Sequence, residues 1–204
     1  MRAPNETVRS AVLEAGKAEF LTRGFTKASL RSIASAAGVT TGAIYTYFPD
    51  KAAIFDALVA EPAEALRKQY SESVSRMDQT LQQDITPWRE WVDVDPDRLI
   101  DFLYAHFDAF RLLTCCAAGT RYEDYIHSLV ELETESTVRF IGYLQKQGVL
   151  NRELDAEVIH ITVSTHYAGI FEPIAHQMPK EQALRCVRIL EEFYAAGWQK
   201  ILGY

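Results

Sequence analysis

Cysteine is scarce in this sequence, with three residues in 204, and two of the three are adjacent, at Cys115 and Cys116. So few thiols cannot build a disulfide framework, and no Cys or His spacing suits a metal site, so neither a metal nor any other cofactor is expected. Adjacent helical cysteines point roughly 100° apart, which disfavours a bond between them. They read as small packing residues, with a redox role as the alternative. Glycine and proline are also few, at 10 and 7, which speaks against a disordered or fibrous chain. No stretch approaches the roughly 18 uninterrupted apolar residues of a membrane span, and the opening MRAPNETVRS lacks the apolar core of a secretion signal. A cytoplasmic protein without a membrane partner is expected. Also missing are a nucleophile elbow, a phosphate loop, a zinc triad and a Ser, His and Asp set at any recognised spacing. No catalytic residue is assigned, and the chain reads as a non-enzyme.

What the sequence does have is apolar content, 48%, arranged at helical steps. Val8, Ala11, Val12, Ala15, Ala18 and Leu21 predict an amphipathic helix from about residue 5 to 22, closed by Gly24. Ser29 caps a short second helix ending at Gly38, and Thr40 opens a third that runs through Ile44 to Phe48. Asp50 caps a long fourth helix, and Pro62 is expected to interrupt and kink it. Asp95-Pro96 starts a helix with Leu99, Phe102, Leu103, His106, Phe110 and Leu113 on one face, continuing to Gly119. Thr120 and Glu123 read as a capping box for the next helix, to Gly148. The helix after Asp155 is apolar nearly all round, with Val158, Ile161, Thr165 and Gly169 on one side and Ile159, Val163, His166 and Ile170 on another, and a last helix covers about 180–201. With no alternating strand pattern, the fold class is all-α.

The net charge of −7 is unevenly spread: residues 1–58 carry seven Lys and Arg against five Asp and Glu, and the rest fourteen against twenty-three. A modestly basic N-terminal module on an acidic body suits a protein that docks one face on nucleic acid. The expected domains are therefore 1–58 and 59–204.

The segment 29–51, SLRSIASAAGVTTGAIYTYFPDK, is two short helices about a turn containing Gly38, a unit that places its second helix in the major groove of double-stranded DNA. Thr41, Gly42 and Ala43 are small enough for close approach to base edges, while Tyr45, Thr46 and Tyr47 offer hydroxyls and rings to phosphates and thymine methyls. Lys51, at a helix start, suits a phosphate. Ile44 and Phe48 read as the glue of the three helices.

The run IASAAGVTTGAIYTYFPDKAAIF resembles the DNA-binding signature of the TetR family of bacterial transcriptional regulators, and the likeness extends over about residues 8–58. The resemblance implies that Thr40, Thr41, Gly42, Tyr45, Tyr47 and Lys51 contact DNA and that Ser29 touches a phosphate. Tyr47 stands where many members carry His, and Thr46 where many carry an aromatic, so the operator sequence stays open. The resemblance further implies a homodimer joined by a four-helix interface, and a repressor released from a palindromic operator by a small-molecule effector. A two-state dimer would pass effector binding to the reader through the fourth helix near Pro62.

Two regions of the body follow from patterning. Thr165, Ala168 and Gly169 would let a partner helix approach, and Val187, Leu190, Tyr194, Trp198 and Ile201 form a stripe for the dimer interface, unless these helices only complete the monomer core. An aromatic or lipophilic effector would lie among Trp88, Trp91, Phe102, His106, Phe107, Phe110, Tyr125 and Phe140, with Glu133 and His106 as polar anchors on otherwise apolar faces. Two alternatives stand beside this: His106 as a hydrogen-bonded core residue, and Glu133 in a salt bridge to Arg111 or Arg139. An enzyme using Glu133 and His106 as an acid-base pair, and an architectural DNA binder, are the competing classes; the acidic, aromatic body argues against the second.

Overall fold

The computed structural model describes residues 6–83 and 95–203. Among them it has helices and turns and no strand: α1 (Glu6–Lys27), α2 (Leu30–Ala36), α3 (Thr41–Ile44), α4 (Lys51–Gln83), α5 (Pro96–Ala105), α6 (Phe107–Cys115), α7 (Tyr125–Lys146), α8 (Ala156–Ala175) and α9 (Lys180–Leu202). No described helix is long and apolar enough to cross a membrane. The contacts form two compact units. One joins residues 1–65 to 106–125, and the other joins 66–105 to 126–204. The boundary expected near residue 58 is thus too simple, because a later stretch of chain returns to the first unit.

The first unit is built on an aromatic cluster. Phe20 and Phe25 meet Phe55 edge-on at 5.3 and 5.5 Å between ring centroids, and Tyr122 lies 6.2 Å from Phe55. Such pairs add about 0.5–1.5 kcal/mol each beyond area burial. Gly16 lets α1 and α4 approach, since a Cβ there would sit 2.6 Å from Ile54 Cγ2. Gly24, at φ 71° and ψ 160°, breaks the regular helix of α1, as its position predicts. Gly38, at φ 68°, turns the chain out of α2, with Val39 N–H donating to the Ala34 carbonyl at 3.0 Å. The returning stretch is tied to α1 by Phe25 N–H to the Cys116 carbonyl (3.1 Å), Thr26 Oγ1 to the Ala118 carbonyl (3.0 Å) and a Lys17–Asp108 ion pair (3.1 Å). It is tied to α4 by Asp56, which accepts from the Tyr122 hydroxyl (2.7 Å) and pairs with Arg121.

Three local expectations change. α4 runs on through Pro62 as one helix, so the interruption does not occur. The helix expected from Pro96 to Gly119 is two, α5 and α6, parted at His106, whose φ of −120° and ψ of 35° are not helical. The Thr120–Glu123 capping box is instead a turn. Glu123 accepts from Gly119 N–H at 2.9 Å and Thr120 Oγ1 from Tyr122 N–H at 3.0 Å, and the helix opens only at Tyr125.

In the second unit α9 packs on both α5 and α8. Arg188 grips Asp97 with two donors, one at 2.8 Å, Lys180 pairs with Asp101 at 2.9 Å, and the Tyr104 hydroxyl donates to the Met178 carbonyl at 2.8 Å. Gly169 forms a notch for Leu190, whose Cδ2 would lie 2.6 Å from a Cβ at that position. The core is lined by Leu103, Leu129, Phe140, Val163, Tyr167, Ile170 and Val187, all buried.

Candidate functional site

The helix-turn-helix is assembled by side-chain caps. Ser29 Oγ accepts from Ser32 N–H at 3.1 Å to open α2, and Thr40 Oγ1 accepts from Ala43 N–H at 3.2 Å to open α3. Asp50 Oδ1 accepts from Ala53 N–H at 2.8 Å at the start of α4. The third helix is shorter than expected, Thr41–Ile44, and continues as a turn in which Tyr47 and Phe48 N–H both donate to the Ile44 carbonyl at 2.9 Å. Ile44 and Phe48 are buried, as their spacing predicts.

On the outside of this frame, Gly42, Tyr45 and Thr46 are exposed and Thr41, Ala43 and Tyr47 are half-buried. Tyr45 is the most prominent, with 56% of its surface exposed. Arg9 approaches from α1, its guanidinium 5.7 Å from the centre of the Phe48 ring.

Lys51 turns toward the backbone of its own unit. Its ammonium donates to the carbonyls of Phe25 (2.6 Å), Thr26 (3.4 Å) and Ala28 (3.0 Å) and lies 4.3 Å from the Phe25 ring centre. An ammonium has three N–H donors, and here they meet three carbonyls at the C-terminal end of α1, where helical partners run out. In this structure Lys51 acts as a clamp inside the unit.

The expected effector residues divide between the units. Phe110 and Tyr125 are buried in the first unit, and the Tyr125 hydroxyl donates to the Ala63 carbonyl at 2.9 Å; Phe107 and His106 are half-buried there. His106 therefore sits at the α5–α6 break and not at the centre of a continuous apolar face. Phe102, half-buried, and Phe140, buried, belong to the second unit with Glu133. Trp88 and Trp91 lie outside the described residues.

Glu133 faces different partners from those the sequence suggested. Its carboxyl is pushed above the usual carboxylate range, first by burial, with the His166 imidazole opposing and the Glu191 carboxylate adding to the rise. His166 Nε2 and Glu191 Oε1 are 2.9 Å apart, and both side chains are largely buried. Arg139, expected as a partner, pairs along its own helix with Glu135 at 4.0 Å. The sequence had placed His166 on one of two apolar sides of α8, but its influence on Glu133 needs separate helices brought together. The Cys116 thiol is also pushed up, by burial before anything else, which disfavours a reactive thiolate.

The expected dimer stripe is rotated. Val187 is fully buried in its own unit and Leu190 fills the Gly169 notch, so these three residues serve intramolecular packing. Tyr194 also turns inward, stacking on His166 at 4.3 Å and donating to the Thr162 carbonyl at 3.3 Å. Trp198 and Ile201 are half-buried, while Thr165 and Ala168 are exposed. The apolar residues left uncovered are Val158 (49% exposed) and Ile161 (64%) on α8, and Ile189 (67%) and Phe193 (72%) on α9. The two apolar sides of α8 announce such a second face in sequence; on α9 the inward stripe concealed it.

Residues 12–58 match the family model described as bacterial regulatory proteins, tetR family. The HTH-type transcriptional repressor BepR of Brucella suis is 29% identical over 164 residues, 76% of this chain and 75% of that protein. The HTH-type transcriptional regulator SrpR of Pseudomonas putida is 21% identical over 208 residues, covering 93% and 97%. Among solved structures, NalD of Pseudomonas aeruginosa, a secondary repressor of the MexAB-OprM multidrug efflux pump, aligns with a TM-score of 0.57 at 22% identity, covering 91% of this chain and 96% of that one.

Proposed function

We propose that this chain is a TetR-family DNA-binding transcriptional regulator, a homodimeric repressor that leaves a palindromic operator when a small molecule binds its helical body. The observation that carries the DNA-reading assignment is Tyr45, an aromatic residue held outward between the buried Ile44 and Phe48. Thr41, Gly42, Ala43, Tyr45, Thr46 and Tyr47 form the reading surface. Ser29 and Thr40 present capped helix starts to phosphates, where backbone N–H groups and the helix dipole favour an anion. Lys51 holds the frame from behind.

A single short reading helix covers few base pairs, so a second copy is needed for affinity. The exposed α8–α9 face of Val158, Ile161, Ile189 and Phe193, with the small Thr165 and Ala168 beside it, supports an isologous interface. BepR is named a repressor, which favours that sign of regulation. Release requires an effector that binds one arrangement of the dimer better than the other.

Selection of the purified protein against random duplex DNA at two salt concentrations tests this. The expected result is a palindromic motif, with Tyr45→Ala lowering affinity about tenfold, as loss of one base contact does. Weak, motif-free binding that vanishes with salt would mean phosphate contact alone and would overturn the reading.

A further inference from the structure

The second unit brings together two histidines that lie 33 residues apart in sequence, His127 near the start of α7 and His160 near the start of α8. Their ring centres are 5.6 Å apart, with the planes at 82°. Two imidazoles bound to one zinc ion, each with a nitrogen about 2.0–2.1 Å from the metal, have ring centres roughly 5–6 Å apart. The pair already stands at the separation a shared ion requires. His127 leaves 54% of its side chain exposed, so its ring can turn an edge toward His160 by rotation about its own side-chain bonds, and an ion can enter from solvent.

Each ring also has the polar neighbour that a metal-bound imidazole uses. His127 Nε2 lies 3.4 Å from Glu131 Oε1, and His160 Nε2 lies 3.5 Å from Ser164 Oγ, each partner being one turn further along the same helix. A ligating histidine commonly gives one ring nitrogen to a carboxylate or another acceptor, which fixes the tautomer and leaves the lone pair of the other nitrogen for the metal. Here Nε2 faces the outer partner, and Nδ1 is the ligating atom. Both contacts are longer than ordinary N–H···O bonds of about 2.7–3.2 Å, so the rings lose little by turning to an ion. Among the described residues no set of three or more His, Cys, Asp or Glu is disposed to hold a metal, so the chain supplies two ligands and water completes the coordination sphere. Imidazole selects zinc, nickel or copper over magnesium and calcium, which take oxygen.

We propose that His127 and His160 form a two-imidazole clamp for a divalent transition-metal ion, which ties the start of α7 to the start of α8. The clamp lies within one unit and does not depend on the operator reading. Because the ion is gripped by the folded arrangement and not by separated helices, it stabilises the second unit by mass action. The exposed Val158 and Ile161 flank His160 on α8, so the ion steadies the helix that presents the proposed interface.

Thermal unfolding of the tag-free protein, stripped with a chelator and then titrated with zinc, nickel or magnesium chloride, tests this. Zinc and nickel are expected to raise the midpoint by about 4 °C or more at saturation, and magnesium to leave it unchanged. His127→Gln and His160→Gln should each abolish the rise while keeping the metal-free midpoint. His176→Gln, which removes an exposed histidine paired with Glu172, should keep the rise in full. Copper(II) added at one equivalent per chain to the native protein should show couplings to two imidazoles in its pulsed electron paramagnetic resonance spectrum, a reading that stands even if a variant folds poorly. The inference is overturned by no rise with zinc or nickel, by an equal rise with magnesium, by a rise that survives the loss of either His127 or His160, or by copper held on a single imidazole.

Discussion

In the first unit the polar side chains around the helix-turn-helix are spent on backbone. Ser29, Thr40 and Asp50 open three helices, Lys51 closes the end of a fourth, and Thr26 fastens the returning segment. In the second unit polar groups are left over inside, at Glu133, Thr134 and Ser136, and apolar ones outside, at Ile161, Ile189 and Phe193. The first unit closes on itself and offers a fixed surface. The second leaves apolar area uncovered on its outer face and hydroxyls without partners on its inner one.

The strongest way to break this contrast is to remove the uncovered outer face. Ile189→Asp combined with Phe193→Asp should convert the proposed dimer to monomer, seen by sedimentation velocity. Operator affinity should fall about a hundredfold or more, because the second reading helix then binds without its tether. Unchanged helical content would place the effect in association rather than folding. If the pair remains dimeric, the α8–α9 face is not the interface.

The next effect tests the closed unit. Lys51→Met removes charge-assisted bonds to three carbonyls, and net losses for such bonds predict a destabilisation of about 2 kcal/mol in urea unfolding. The dependence of DNA affinity on salt should keep its slope. A slope lower by about one, with stability unchanged, would return Lys51 to the phosphates.

A smaller effect tests the inner face. Because the folded state holds the Glu133 carboxyl above its unfolded pKa, the folded protein binds more protons in that interval, and its stability falls as pH rises from the ordinary carboxylate range through the raised value. Glu133→Gln should abolish that component, making the variant relatively more stable near neutrality and equal to the native protein at acid pH. Parallel thermal midpoints across pH would refute the desolvated carboxyl.

The DNA-reading elements were legible because their signals are local. Gly24 and Gly38 sit where the backbone takes positive φ, Ser29 and Thr40 bond within three residues, and Ile44 and Phe48 recur at helical spacing. The clamp made by Lys51 was not legible because its partners lie 23–26 residues away, across a turn that periodicity does not describe. His106 was put mid-face because a helical wheel assumes an unbroken helix, and the break there depends on two helices serving different units.

The sequence by itself determined the helical class, the turn and caps of the reader, and the presence of an ionisable group on the inward face of α7, since each follows from spacing along the chain. Only the tertiary structure decided which side of α9 faces outward, that residues 106–125 return to the first unit, and that His166 and Glu191 act on the charge of Glu133. An amphipathic stripe identifies a face that prefers burial, but Val187 and Phe193 are equally apolar in sequence. Which is covered depends on the notch at Gly169 that draws Leu190 inward and fixes the rotation of the helix.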